Sequence, residues 1–147
     1  CSRAQMKILI TGGAGFIGFH LAKQLASEGH KVVIADNFQR GKKDDELNLL
    51  LKQKNVSLIT MDVTSQKYFG KLGSGYDHVY HLAAINGTEN FYKIPDQVIK
   101  VGAIGTINVL EWFYSKNKQG KLLFASSSES YAGLVKLLGK KFPIPTP

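Results

Sequence analysis

Five short apolar runs punctuate the chain, with amphipathic stretches between them. Lys7–Thr11, Lys31–Ala35, Ser57–Met61, His78–Leu82 and Lys121–Ala125 are rich in Ile, Val and Leu. Their apolarity is nearly continuous rather than alternating, which predicts parallel strands covered on both faces. Between the first two runs, Ile17, Leu21 and Leu25 recur at intervals of four, which marks one face of a helix that Gly29 stops. Asp44–Lys54 predicts a second helix with Leu47, Leu50 and Leu51 as its stripe, and Gln66–Leu72 a short third. The longest spans Asp96–Asn117, with Val98, Val101, Ile104, Val109 and Trp112 inward and a turn over Lys116–Gly120. The order β-α-β-α-β-α-β-α-β predicts an α/β fold, a doubly wound parallel sheet of about five strands with right-handed crossovers. Ligands of such sheets bind beyond the carboxyl ends of the strands, where the strand order reverses.

Composition agrees with this picture and narrows it. The chain has 147 residues, 44% of them hydrophobic and 20% charged, which suits one globular domain. A chain of this size buries roughly two-thirds of its unfolded surface and needs no disulfide or metal staple. The single cysteine, Cys1, can form neither an intrachain disulfide nor a multi-cysteine zinc site, so a reducing, cytoplasmic setting is expected. No apolar run approaches the ~18 residues of a membrane span, and no membrane partner is expected. Net charge is +8, and the excess sits late: Lys116, Lys118, Lys121, Lys136, Lys140 and Lys141 face only Glu129 after Glu111. With two arginines and no aromatic interleaving, nucleic acid is not expected as a partner. A solvated lysine face that attracts phosphorylated small molecules remains. Residues 1–5 carry no signal peptide and read as a leader or cloning remnant, and 6–133 as the domain. Residues 134–147, ending in the proline-punctuated Phe142–Pro147, read as an extended connection toward a C-terminal part that is absent.

Glycine is enriched, at 15 of 147 residues, and four of these lie in Thr11-Gly12-Gly13-Ala14-Gly15-Phe16-Ile17-Gly18. Such spacing lets a tight turn leave the strand, a bare backbone approach a pyrophosphate, and a helix pack close to the strand. The free N–H groups and positive dipole end of that helix then hold the anion. Two registers fit, Gly13-x-Gly15-x-x-Gly18 and Gly12-x-x-Gly15-x-x-Gly18, and they share Gly15 and Gly18. The second strand ends at Asp36, eighteen residues past Gly18. An acidic residue there accepts hydrogen bonds from the adenosine ribose, and its charge disfavours a 2′-phosphate. The pattern predicts a Rossmann-type site that takes NAD in preference to NADP, a preference tempered by the nearby Arg40, Lys42 and Lys43.

These residues resemble the opening of the extended short-chain dehydrogenase/reductases, the NAD-dependent sugar-nucleotide epimerases and dehydratases. Asp36-Asn37 resembles that family's ribose-binding pair, and Asp62-Val63 its adenine-contacting pair. His81-Leu82-Ala83-Ala84 is similar to the stretch that lines the nicotinamide ribose, and Gly105-Thr106-x-Asn108-Val109-Leu110 to its long helix. The resemblance runs from Lys7 to about Gly133. It implies cofactor contacts at Gly12, Gly15, Phe16, Ile17, Gly18, Asp36, Asn37, Asp62, Val63, Leu82, Ala83 and Ala84, with NAD as cofactor. It also implies a nucleotide-diphosphate sugar as substrate, and a homodimer formed through helices that include the long one. His78 and His81 lack a surrounding ligand set and read as structural, so no metal site is expected.

Ser126-Ser127-Ser128-Glu129-Ser130-Tyr131 follows the fifth strand. By the resemblance, a serine here bonds the substrate hydroxyl beside a tyrosine whose phenol is made acidic by a lysine and the nicotinamide charge. That tyrosinate takes the hydroxyl proton while hydride passes to NAD. Alignment of Glu129-Ser130-Tyr131 with the family's Glu-Val-Tyr assigns the hydroxyl to Ser127, and a one-place shift gives Ser128; Glu129 joins the catalytic set. Three departures limit the carry-over. Gly102 stands where the family has Asn, Ser128 stands where the 4,6-dehydratases carry Asp, and no Tyr-x-x-x-Lys pair follows the fifth strand in the chain. The family places that pair after a segment like Phe142–Pro147. The expectation is the cofactor-binding half of an NAD-dependent sugar-nucleotide epimerase, or of a related dehydratase or decarboxylase, inactive as it stands. A non-catalytic NAD(P)-binding regulatory or scaffold module is the alternative; Asp36 disfavours an NADP-dependent carbonyl reductase.

Overall fold

The computed structural model describes residues 4–127. Strands β1 (Lys7–Thr11), β2 (Lys31–Asp36), β3 (Val56–Thr60), β4 (His78–His81) and β5 (Lys121–Phe124) form one parallel sheet in the order β3-β2-β1-β4-β5. The chain winds outward from β1 to β3, then crosses back to lay β4 on the other side of β1. The strand order therefore reverses between β1 and β4, and a crevice opens at their carboxyl ends. Each strand end lies within one residue of the apolar run that predicts it.

Alternate strand residues feed two cores. Ile8, Ile10, Val32 and Ile34 pack on Ala22, Ala26, Leu47 and Leu50 on one face. Leu9, Val33 and Val79 meet Phe69, Tyr76, Val109 and Trp112 on the other. The outer strand β5 departs from the expectation of cover on both faces, since Leu123 and Phe124 are about half exposed. It has a strand neighbour on one side only among the described residues.

The helices are α1 (Phe16–Ser27), α2 (Asp45–Leu51), α3 (Thr88–Lys93), α4 (Pro95–Ile99) and α5 (Thr106–Lys116), with a 3₁₀ turn over Gln66–Lys71. In α1 the buried set is Gly18, Ala22 and Ala26. The face marked by Ile17, Leu21 and Leu25 lies one residue to the side of this set: Ile17 is 69% exposed, and Leu21 and Leu25 only flank the core. The cause is distance. A Cβ on Gly18 would collide with the Gly12 carbonyl, so only small side chains can face the sheet there. In α2, Asp44 accepts the Leu47 N–H at 2.9 Å as the N-cap, and Leu47 and Leu50 are buried as predicted.

The long helix runs unbroken from Pro95 to Lys116, but it is not uniform. Lys100–Gly105 is a π-helical turn between α4 and α5. Its wider winding shifts the helix phase, which leaves Ile104 44% exposed while Val101, Val109 and Trp112 stay inward. Val98 is only partly buried. Gly105 allows this turn to lie against the loop after β3, because a Cβ there would stand 2.8 Å from Val63 Cγ2. The short α3 ahead of it carries no apolar stripe and is absent from the sequence expectation.

Candidate functional site

The glycine-rich turn sits at the strand reversal. Gly12 has φ +70°, and a Cβ on it would lie 2.8 Å from the Ala83 backbone. Its N–H bonds to the Ala35 carbonyl at 2.8 Å, and Leu82 N–H bonds to the Thr11 carbonyl at 3.0 Å. The turn is thus pinned to the ends of β2 and β4 together. Gly15 then opens α1, with its N–H on the Gly12 carbonyl at 3.1 Å. No side chain caps α1 and no acid lies in its first turn. The N–H groups of Phe16, Ile17 and Gly18 therefore have no intrahelical acceptor and face the crevice with the positive end of the dipole. Phe16 and Ile17 are largely exposed beside them.

Asp36 closes this turn from the β2 side. Its Oδ2 accepts the Ala14 N–H at 3.0 Å and its Oδ1 the Phe38 N–H at 2.8 Å. A carboxylate has about four acceptor sites, so capacity for a ligand hydroxyl remains. The second bond holds Phe38 at φ +58°, a left-handed conformation unfavourable for a bulky side chain. Exposed Asn37 accepts the Gln39 N–H at 3.0 Å through its own Oδ1. After β3, Asp62 Oδ1 accepts both the N–H and the hydroxyl of Thr64 at 2.8 Å, which fixes a turn and leaves Ser65 to precede the 3₁₀ segment. Buried Val63 presents its carbonyl to Asn108 Nδ2 at 2.9 Å.

His81 ties these parts together from below. The Thr106 hydroxyl donates to the Gly102 carbonyl at 2.6 Å, so its oxygen is free to accept from His81 Nε2 at 3.1 Å. That places the ring proton on Nε2 and makes Nδ1 an acceptor for the Thr11 hydroxyl at 2.6 Å. The Thr11 oxygen in turn accepts the Ala83 N–H at a long 3.4 Å. Every member of the chain has one consistent role. Burial lowers the His81 pKa to about 4, which keeps this neutral tautomer in place.

Gly12, Gly15, Phe16, Ile17, Gly18, Asp36, Asn37, Asp62, Val63, Leu82, Ala83 and Ala84 all lie at the carboxyl edge of the sheet. Ala125 N–H bonds to the His81 carbonyl at 3.3 Å, so β5 delivers exposed Ser127 to the same edge, beside β4. Ser128 and Glu129 lie outside the described residues. Thr11 and Thr106 carry no ligand signal in the sequence, although both stand inside the motifs that the resemblance rests on. Nor does the sequence show that Arg40 reaches the Asn86 carbonyl, at 2.6 Å. Among the described residues there is no group of three or more His, Cys, Asp or Glu able to hold a metal, and no helix is long and apolar enough to cross a membrane.

Comparison with known proteins agrees with this geometry. The model of the NAD dependent epimerase/dehydratase family matches residues 8–142. UDP-glucuronic acid decarboxylase 1 of Danio rerio is 38% identical over 125 residues, which are 85% of this chain and 28% of that protein. The UDP-N-acetylglucosamine 4-epimerase of Methanobrevibacter ruminantium M1, in complex with UDP-N-acetylmuramic acid, matches with a TM-score of 0.79 and 26% identity, over 99% of this chain and 43% of that one. The Thermus thermophilus UDP-glucose 4-epimerase, in complex with NAD, matches with a TM-score of 0.71 and 30% identity, over 83% and 38% of the two chains. The chain thus spans less than half the length of each of these proteins.

Proposed function

The chain belongs to the NAD dependent epimerase/dehydratase family, and from that premise we propose that it is the cofactor-binding portion of an enzyme that acts on a nucleotide-diphosphate sugar. The observation that carries this reading is the uncapped start of α1, reached by a turn where Gly12 and Gly18 leave no room for a Cβ. The residues fit NAD on these grounds. The N–H groups of Phe16, Ile17 and Gly18, behind Gly15, hold the pyrophosphate. Asp36 and Asn37 take the adenosine ribose, Asp62 and Val63 border the adenine, and Leu82, Ala83 and Ala84 line the nicotinamide ribose. When bound, NAD supplies a reversible hydride acceptor for the sugar carbon.

Ser127 is assigned to orient the sugar hydroxyl that is oxidised, with Ser128 and Glu129 next in the chain. The reaction is an epimerisation, or the related dehydration or decarboxylation. The relatives reported above are named for UDP-sugars, which favours UDP as the nucleotide. The enzyme is cytoplasmic, takes no nucleic acid, and forms a homodimer through the outer face of α5. Titration of the 147-residue chain with NAD tests the reading directly. Binding is expected, with NADP weaker, and no sugar nucleotide is turned over because no Tyr-x-x-x-Lys pair follows β5 in the 147-residue chain. A chain that folds yet ignores NAD overturns the assignment; turnover by the piece overturns the catalytic part of it.

A further inference from the structure

We propose that Arg40 is the cation that meets the dinucleotide pyrophosphate, held over the glycine-rich turn by its bond to the Asn86 carbonyl. The inference rests on the dinucleotide reading above. From sequence alone, Arg40 reads as a residue that tempers the choice against a 2′-phosphate. Its geometry gives it a different task.

The loop after β2 folds back onto the glycine-rich turn. Asp36 holds the Ala14 N–H, and Gly41 lies so close to Ala14 that a Cβ on it would stand 2.8 Å from the Ala14 carbonyl oxygen. Arg40, the residue before Gly41, therefore starts from one flank of the turn. Its Nη1 ends 2.6 Å from the carbonyl of Asn86, three residues past the Ala83 that packs on Gly12. One side chain thus bridges the loop after β2, which packs on the turn at Ala14, and the loop after β4, which packs on it at Gly12.

The chemistry of the link suits an exchangeable anchor. A guanidinium carries five donors in a planar fork, and a single carbonyl uses only part of it. Arg40 is exposed and forms no ion pair among the described residues. The Asn86 carbonyl also accepts Asn90 Nδ2 at 2.7 Å, so it stays satisfied when the guanidinium turns to another acceptor. A phosphate offers the fork a charge-assisted, bidentate bond, which is stronger than a bond to a neutral carbonyl. The link thus holds the charge in place at low cost until a pyrophosphate arrives.

The test compares the 147-residue chain with Arg40→Gln and Arg40→Lys, using NAD, NADP and ADP-ribose by calorimetry and adenosine by ligand-observed NMR. Arg40→Gln removes the charge, and NAD and ADP-ribose are both expected to bind roughly tenfold more weakly. Adenosine binding and the NAD-to-NADP ratio stay unchanged, and the salt dependence of NAD binding flattens. Arg40→Lys, which keeps the charge but not the fork, falls between. Unchanged NAD affinity in Arg40→Gln overturns the proposal. So does an equal loss for adenosine, which marks a structural role, or a loss confined to NADP, which marks a 2′-phosphate contact. Failure of the unaltered chain to bind NAD or ADP-ribose overturns the dinucleotide reading itself, and this inference with it.

Discussion

His81 joins β1, β4 and the helix that follows the π turn through two threonine hydroxyls. Its pKa of about 4 in the folded chain lies below the ordinary value of 6.5 because burial disfavours the imidazolium. Between these two values the unfolded chain binds the proton that the folded chain refuses, so stability rises with pH there. This site's contribution is complete above about pH 6.5 and is lost as pH falls toward 4, on the order of 3 kcal/mol in total. Urea unfolding measured from pH 7.5 to 4 is expected to show that loss, and His81→Phe to flatten this part of the profile; a profile unchanged by the substitution removes His81 as its source. Asp36 has a different dependence on the ligand. Asp36→Ala is expected to weaken NAD several-fold and NADP much less, measured by calorimetry, since it removes a ribose acceptor and a charge that repels the 2′-phosphate; an unchanged preference would falsify its role. The sequence predicts a structural His81 and assigns the ribose to Asp36. The partners of His81 stayed hidden, because Thr11 and Thr106 stand 70 and 25 residues away.

At the scale of elements, periodicity located the strands and α1 but did not show which residues of α1 turn inward. Hydrophobic spacing assumes that the largest apolar side chains face the core, and that fails where two backbones nearly touch. Gly18, Ala22 and Ala26 are the inner face because the Gly12 carbonyl lies against Gly18. The same glycine motif that announces the site contains the explanation. Gly18→Ala is therefore expected to destabilise the chain by about 1–3 kcal/mol through overpacking against backbone that cannot rotate away. It should also displace the start of α1 and weaken NAD, in contrast to the helix stabilisation that Gly→Ala gives at an open position. A fluorescence-monitored unfolding curve and an NAD titration of the variant check both effects, and a more stable variant with full affinity sinks the packing argument. The π turn escaped for a related reason. Its apolar residues follow ordinary helical spacing, which does not reveal the close approach of Gly105 to Val63.

For the whole molecule, the alternation of runs made the sheet and its strand reversal legible, because each crossover must be right-handed and pack back onto the sheet. What the alternation could not show is which outer faces remain without cover. Ile107, Leu110 and Tyr114 follow one another at three and four residues along α5, and all are exposed. They form an apolar stripe on the side of the helix opposite Val109 and Trp112, which are buried against the sheet. Two such stripes related by a two-fold axis make a self-complementary contact, with each residue meeting the same patch of the second copy. The stripe is remote from α1, which packs on the opposite face of the sheet through Ala22 and Ala26. Leu110→Glu is therefore expected to shift the chain from dimer to monomer in sedimentation velocity while its NAD affinity stays within about twofold. A monomeric unaltered chain at concentrations up to about 100 μM, where even a weak two-fold contact of this kind would populate the dimer, ends the proposal that α5 is the dimer face of this chain.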